Sequence, residues 1–255
     1  MTTKPLPRIA CFHGSGSNSS IYEIQCSFLT NLLADTLTLE FFDAPFPRSA
    51  GPGVLPAFED YGPYASWFDT DDRRSEEERN DGSGFDATGR DGIERVYKLM
   101  QARSGPGKGE WVGVMGFSQG TRVAGGLLLD QQRREEVASQ GENGNVNGNG
   151  NGNGVSPGHG FNFKFGVCCM GGGRPMESEV AYKLTNPSTT IHIPTLHMHG
   201  LKDEYLELGR EQLAKYYDPA TAQLYEINYH HAMPWVKAEA EELARLIKEL
   251  YVKTK

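Results

Sequence analysis

The segment Gly116-Phe117-Ser118-Gln119-Gly120 constrains this chain more than any other, because it joins an apolar run, Trp111 to Met115, to a helix-compatible stretch, Thr121 to Leu129. A serine with glycine two positions away on either side suits a strand that reverses sharply into a helix. In so tight a turn, side chains at the two flanking positions collide with neighbouring atoms, so both require glycine. The serine oxygen then stands clear of the backbone at a strand end. The N–H of the next residue points to where a carbonyl oxygen gains charge under attack. Ser118 is therefore the candidate nucleophile. Gly154-Val155-Ser156-Pro157-Gly158 repeats the pattern, but within an Asn/Gly-rich stretch with no strand before it and no helix after it. Pro157 has no N–H to offer an oxyanion, so Ser156 is a chance match.

A chain of 255 residues suits one α/β domain. The net charge of −8 argues against nucleic acid or an anionic membrane as partner, because both select basic patches. Met1 to Arg8 holds two prolines and no apolar stretch of signal-peptide type. No apolar run approaches the ~18 residues that a membrane span needs. The four cysteines, Cys11, Cys26, Cys168 and Cys169, fall in expected core elements. Two are adjacent, which is no disulfide framework, and reduced buried thiols in the cytoplasm are expected.

Strand-like and helix-like segments alternate. Strands are expected at 8–13, 37–42, 111–115, 161–170, 195–199 and 222–228. A helix from about Ser20 should carry Ile21, Ile24, Phe28 and Leu32 on one face, opened by a Ser20/Glu23 capping box. Further helices are expected at 85–103, after the elbow, at 205–216 and at 235–251, the last with Leu243, Leu246, Ile247 and Leu250 inward. Such alternation predicts a mainly parallel sheet wrapped by helices on both faces, with its site beyond the carboxyl ends of the strands. His13, Ser118, Gly171 and Gly200 all stand just past expected strand ends.

Two segments break the rhythm within what is expected to be a single domain, 1–255. Residues 44–84 are rich in proline, glycine and aromatics, then become charged. They are expected to form a lid-like insertion, with Tyr64, Trp67 and Phe68 lining an acyl pocket together with Met233. Residues 141–160 alternate Asn and Gly and cannot bury apolar area to offset ordering, so a flexible loop is expected there.

A serine hydroxyl near neutral pH needs a base, usually a histidine oriented by a carboxylate. The strand–serine–helix turn is the nucleophile elbow of α/β-hydrolases, in which the chain order is serine, acid, histidine. Both later slots are filled, by Gly200-Leu201-Lys202-Asp203-Glu204 and by Tyr229-His230-His231-Ala232-Met233-Pro234. Asp203 is the preferred acid, because Glu204 suits the positive end of the following helix. Pro234 suits the first turn of the final helix, which leaves both His230 and His231 in the loop before it. Spacing alone does not choose between them. The oxyanion donors are expected to be the N–H groups of Gln119 and of Ser15, in the loop His13-Gly14-Ser15-Gly16, with His13 bracing that loop. His197 and His199 share one face of a strand but have no third metal ligand nearby in sequence, so no metal is expected.

Four segments together resemble one family: Pro7 to Asn18, Gly113 to Gly120, Leu196 to Asp203, and His231-Ala232-Met233-Pro234. The chain resembles, over almost its whole length, the family of serine hydrolases (FSH) domain of the α/β-hydrolase superfamily, common in fungi. Members include thioesterases that release products from polyketide synthases, of the lovastatin-pathway type. The family's base stands in a G-G-H-x-x-P-like segment; His231 matches the histidine and His230 falls on a glycine position. The resemblance therefore implies Ser118, Asp203 and His231 acting through an acyl-enzyme, with no metal or organic cofactor. It also implies a polyketide or fatty-acyl thioester, held on the acyl-carrier domain of a polyketide synthase, as substrate. A carboxylesterase acting on small or lipophilic esters is the alternative, and a non-catalytic binding module on the same scaffold is the third reading. Arg122 stands where family members more often have a small residue, and is expected to face solvent.

Overall fold

The computed structural model describes residues 4–68, 92–142 and 160–255. Over these residues the chain runs β1 (Arg8–Phe12), α1 (Ser19–Gln25), α2 (Ser27–Leu33), β2 (Thr38–Phe42), β3 (Phe46–Arg48), β4 (Tyr64–Ser66) and α3 (Gly92–Ala102). It continues through β5 (Trp111–Phe117), α4 (Gly120–Glu142), β6 (Phe165–Cys169), β7 (Thr195–Gly200), α5 (Leu206–Tyr216), β8 (Ala222–Ile227) and α6 (Lys237–Lys253).

Six strands form one sheet in the order β2-β1-β5-β6-β7-β8, with every neighbouring pair parallel. β1, β5, β6 and β7 are buried along their whole length. Burial on both faces explains why these strands read as continuous apolar runs without polar alternation. Successive side chains still divide between faces: Ile9 and Cys11 pack with α1, α2 and α6, whereas Ala10 and Phe12 pack with α3 and α4. Because the strands are parallel, the loops after β1, β5, β6, β7 and β8 emerge at one edge. The fold is that of an α/β-hydrolase.

Several expectations shift in detail. The helix expected from Ser20 is two helices, interrupted at Cys26 (φ −92°, ψ 6°). The interruption resets the period, so Ile24 and Phe28 are 44% and 50% exposed while Ile21, Tyr22, Leu29 and Leu33 face inward. Asn18, and not the Ser20/Glu23 pair, caps α1, its Oδ1 accepting the Ile21 N–H at 2.9 Å. The strand expected over 161–170 is confined to Phe165–Cys169. α6 starts at Lys237, so Pro234 precedes the helix instead of opening it. Within 44–68, β3 and β4 pair antiparallel, Phe46 opposite Ser66. The charged part of the expected insertion (69–84) and the Asn/Gly repeat fall outside the described residues, as does the start of the helix expected over 85–103.

Candidate active site

β5 runs straight into the elbow, where Ser118 takes φ +52°. Residues with a side chain rarely occupy this left-handed region, and such strain clusters at functional sites. The neighbours enforce it. A Cβ on Gly116 would lie 2.2 Å from the Gly120 carbonyl oxygen, and one on Gly120 would lie 2.0 Å from that of Phe12. The Ser118 N–H is itself consumed, donating to the Cys169 carbonyl at 2.9 Å. Among the described residues, neither the Gln119 nor the Ser15 N–H has a backbone acceptor.

Asp203 and His231 are brought together by the pairing of β7 with β8. Beyond the strand ends the two loops stay zipped, with the Leu201 N–H bonded to the Ile227 carbonyl at 2.8 Å and the Lys202 N–H to that of Tyr229 at 2.9 Å. Approach is so close that a Cβ on Gly200 would sit 2.6 Å from the Tyr229 oxygen. At this crossing His231 Nδ1 lies 2.8 Å from Asp203 Oδ2. A carboxylate only accepts, so Nδ1 carries the proton and Nε2 is left with a lone pair. The other carboxylate oxygen, Oδ1, accepts the Tyr205 N–H at 2.8 Å. The Asp203 side chain is 3% exposed and the His231 side chain 17%, so the carboxylate is covered and the imidazole more open. The imidazole sits between Phe117 (5.0 Å between ring centres) and Tyr205 (4.9 Å, nearly edge-on). His230, by contrast, is exposed.

Ser118, Gln119, Ser15 and His231 share the wall of one cavity of about 820 Å³. The wall also includes residues 48–54 and Leu208, Gln212 and Tyr216 of α5. The expected pocket residues Tyr64, Trp67, Phe68 and Met233 do not line it, and each has a stronger claim elsewhere. Trp67 is fully buried and Met233 is 4% exposed, both in the core. Phe68 lies beneath the Arg122 guanidinium, 3.7 Å from its ring centre. Tyr64 turns its hydroxyl to the Phe58 and Glu59 carbonyls. Arg122 does not face solvent as expected. It is 7% exposed, lines the cavity, and donates from Nε to the Arg174 carbonyl at 2.7 Å.

The 48–54 stretch is the wall that sequence reasoning missed, although Gly51-Pro52-Gly53 marks it as a tight passage. A Cβ on Gly51 would meet the Ser15 oxygen at 2.3 Å, so backbone packs directly on the loop that carries Ser15. His13 braces that loop from inside: Nδ1 lies 2.7 Å from the Gly14 oxygen, and the Ala44 N–H donates to Nε2 at 3.1 Å. Burial lowers the pKa of His13 to about 4 and that of His197 to about 3. His197 Nε2 meets Thr195 Oγ1 at 3.1 Å. All four cysteines are buried and unpaired, and burial pushes their thiols up, away from the reactive thiolate.

Comparison with known proteins identifies the family. A family model described as "Serine hydrolase (FSH1)" matches residues 1–243. The chain belongs to this serine hydrolase family. Among relatives of this family member, the "Probable esterase azaC" of Aspergillus niger is 34% identical over 99% of the chain and 88% of the relative. "Esterase pigG" of Monascus ruber is 30% identical over 91% of the chain and 87% of the relative. In fold, the chain is similar to Zea mays acyl-protein thioesterase 2 (TM-score 0.53, 19% identity, 97% of this chain and 95% of that one). A carboxylesterase from Mesorhizobium loti is similar too (TM-score 0.52, 15% identity, 95% and 88%). Among the described residues no helix is long and apolar enough to cross a membrane.

Proposed function

We propose that this serine hydrolase cleaves acyl thioesters or esters through an acyl-enzyme on Ser118, with His231 as base and Asp203 as the group that orients it. The observation carrying this reading is the 2.8 Å Asp203–His231 contact, which turns the imidazole of a cavity-wall histidine to the tautomer a base requires. Ser118 Oγ attacks the carbonyl carbon as His231 Nε2 takes its proton. The Gln119 and Ser15 N–H groups hold the oxyanion. The leaving thiol or alcohol departs with that proton, and a water activated by His231 then releases the carboxylic acid.

The favoured substrate is a polyketide or fatty-acyl chain carried as a thioester on a carrier domain. Arg48, Arg122, Arg174, Gln25 and Gln212 on the cavity wall favour an oxygen-bearing chain over a plain hydrocarbon one. A carboxylesterase activity is the second reading, favoured by relatives named as esterases. The same reading treats the chain as one domain with 44–84 as a lid-bearing insertion, supported by 48–54 at the cavity wall. It also has the enzyme act in the cytoplasm, supported by four unpaired cysteines.

Matched acyl thioesters and oxyesters of several chain lengths, with and without β-oxo groups, test it on wild type and Ser118→Ala. Preferred turnover of oxygenated thioesters by wild type alone is expected. A strong oxyester preference would favour the carboxylesterase, and equal activity in Ser118→Ala would exclude both.

A further inference from the structure

Trp67 does not line the cavity, yet hydrogen bonds lead from it to both oxyanion loops. Its indole N–H donates to the His13 carbonyl at 2.9 Å, and its backbone N–H donates to the Gln119 side-chain Oε1 at 2.8 Å. The Ser66 hydroxyl, one residue earlier, lies 3.1 Å from the same Oε1. The ring is locked by its surroundings: it is fully buried, edge-on to Phe12 at 5.3 Å and tilted against His13 at 5.3 Å.

From His13 the restraint passes to Ser15 through a single peptide. His13 Nε2 accepts the Ala44 N–H, so Nδ1 carries the ring proton and donates to the Gly14 carbonyl. The Gly14 carbonyl and the Ser15 N–H are opposite ends of one planar trans unit. Holding the carbonyl inward therefore turns the N–H outward, toward the cavity that Ser15 lines. On the other side, a Gln119 side chain pinned at its tip restrains the residue whose N–H is the other donor.

We propose that Trp67 is the positioning residue of the oxyanion hole, its two N–H groups setting the spacing between the Ser15 and Gln119 donors. The proposal rests on the acyl-enzyme reading above. The sequence marked Trp67 as a pocket aromatic; its function lies one layer behind the pocket.

Trp67→Phe keeps an aromatic ring in the core and deletes the indole donor. Gln119→Leu keeps the Gln119 backbone N–H and deletes the acceptor, on a half-buried side chain that decides the matter should Trp67→Phe not fold. Because a loosened donor loses part of what a deleted one loses, each variant should lower kcat for a short acyl ester by roughly 10–100-fold. KM should stay within about threefold, since the oxyanion contact strengthens only in the transition state. The titratable fraction of active sites and the apparent pKa of the rate profile should match wild type, whereas the rate of fluorophosphonate labelling should fall in step with kcat. The double variant should lose less than the product of the single losses. Unchanged kcat in both variants of an active enzyme overturns this inference alone, as does a loss explained wholly by fewer titratable sites. A wild type that neither labels nor turns over overturns the acyl-enzyme reading and this inference with it.

Discussion

The elbow and the 44–68 segment both border the cavity, but they are held there in different ways. The elbow is fixed by backbone. Gly116 and Gly120 pack against carbonyl oxygens at distances that exclude any Cβ, and Ser118 accepts a left-handed conformation as a result. In 44–68, side chains add to the backbone bonds that join Ala65 to Gly16 and Ser17: Trp67 is held by its indole bond, Tyr64 by its hydroxyl, Phe68 by Arg122. At Gly51 the packing is tightest, backbone directly on backbone against the Ser15 loop. The nucleophile is thus placed by main-chain geometry, whereas the layer behind the cavity wall, from Tyr64 to Phe68, is held in part by side chains.

Substitutions on the two sides should therefore differ in size. Ser118→Ala should reduce kcat/KM by five or more orders of magnitude, on the order seen when a serine nucleophile is removed. His231→Ala should fall nearly as far, while the exposed His230→Ala changes kcat/KM by only about twofold; the reverse ranking would refute the assignment of the base. Asp203→Asn keeps the shape but favours the wrong imidazole tautomer, and a loss of roughly 10³–10⁴ in kcat is expected.

The boundary between the two regions gives the sharper test. Gly51→Ala drives a methyl group into the Ser15 carbonyl, so it should behave as an elbow-type substitution and lower kcat by about 10–100-fold through a displaced donor. A mere KM effect would show that 48–54 acts only as a substrate-contacting wall. Arg48→Ala lies on that wall. It should change the preference for β-oxo over plain acyl chains by several-fold, measured as a ratio of kcat/KM values.

What could be read from the chain divides along the same line. The elbow is legible because its collisions arise within five residues of sequence. Asp203 and His231 are legible from chain order and strand ends, although their contact depends on β7 and β8 being neighbours. The aromatic residues are not. Composition reveals that Tyr64, Trp67 and Phe68 are present, but ring direction depends on partners far away in sequence, such as the His13 carbonyl for Trp67. Arg122 was misplaced for the same reason, its partners being Arg174 and Phe68. In the first helical segment, one interruption at Cys26 was enough to turn Ile24 and Phe28 outward.

Stability should also depend on pH. Burial holds the folded-state pKa of His13 at about 4 and that of His197 at about 3, against 6.5 for a free histidine. The unfolded chain therefore binds protons that the folded protein refuses. The stability these two histidines contribute should be full above pH ~6.5 and be lost as the pH drops toward 4 and then 3, whereas Glu94, raised by burial to about 7, acts in the opposite direction between about 7 and 4.5. Denaturant midpoints at pH 7, 5.5 and 4.5 in a Glu94→Gln background check the histidine contribution, and a midpoint there that rises on acidification would contradict it.

The central claim is that Ser118 is the nucleophile and that the Asp203–His231 pair activates it. Reaction with a fluorophosphonate, followed by peptide mass mapping, tests it most directly. The account predicts one equivalent of label on the Ser118 peptide, rapid in wild type and His230→Ala, and slowed by orders of magnitude in His231→Ala. Label on another serine, or undiminished labelling in His231→Ala, would contradict it.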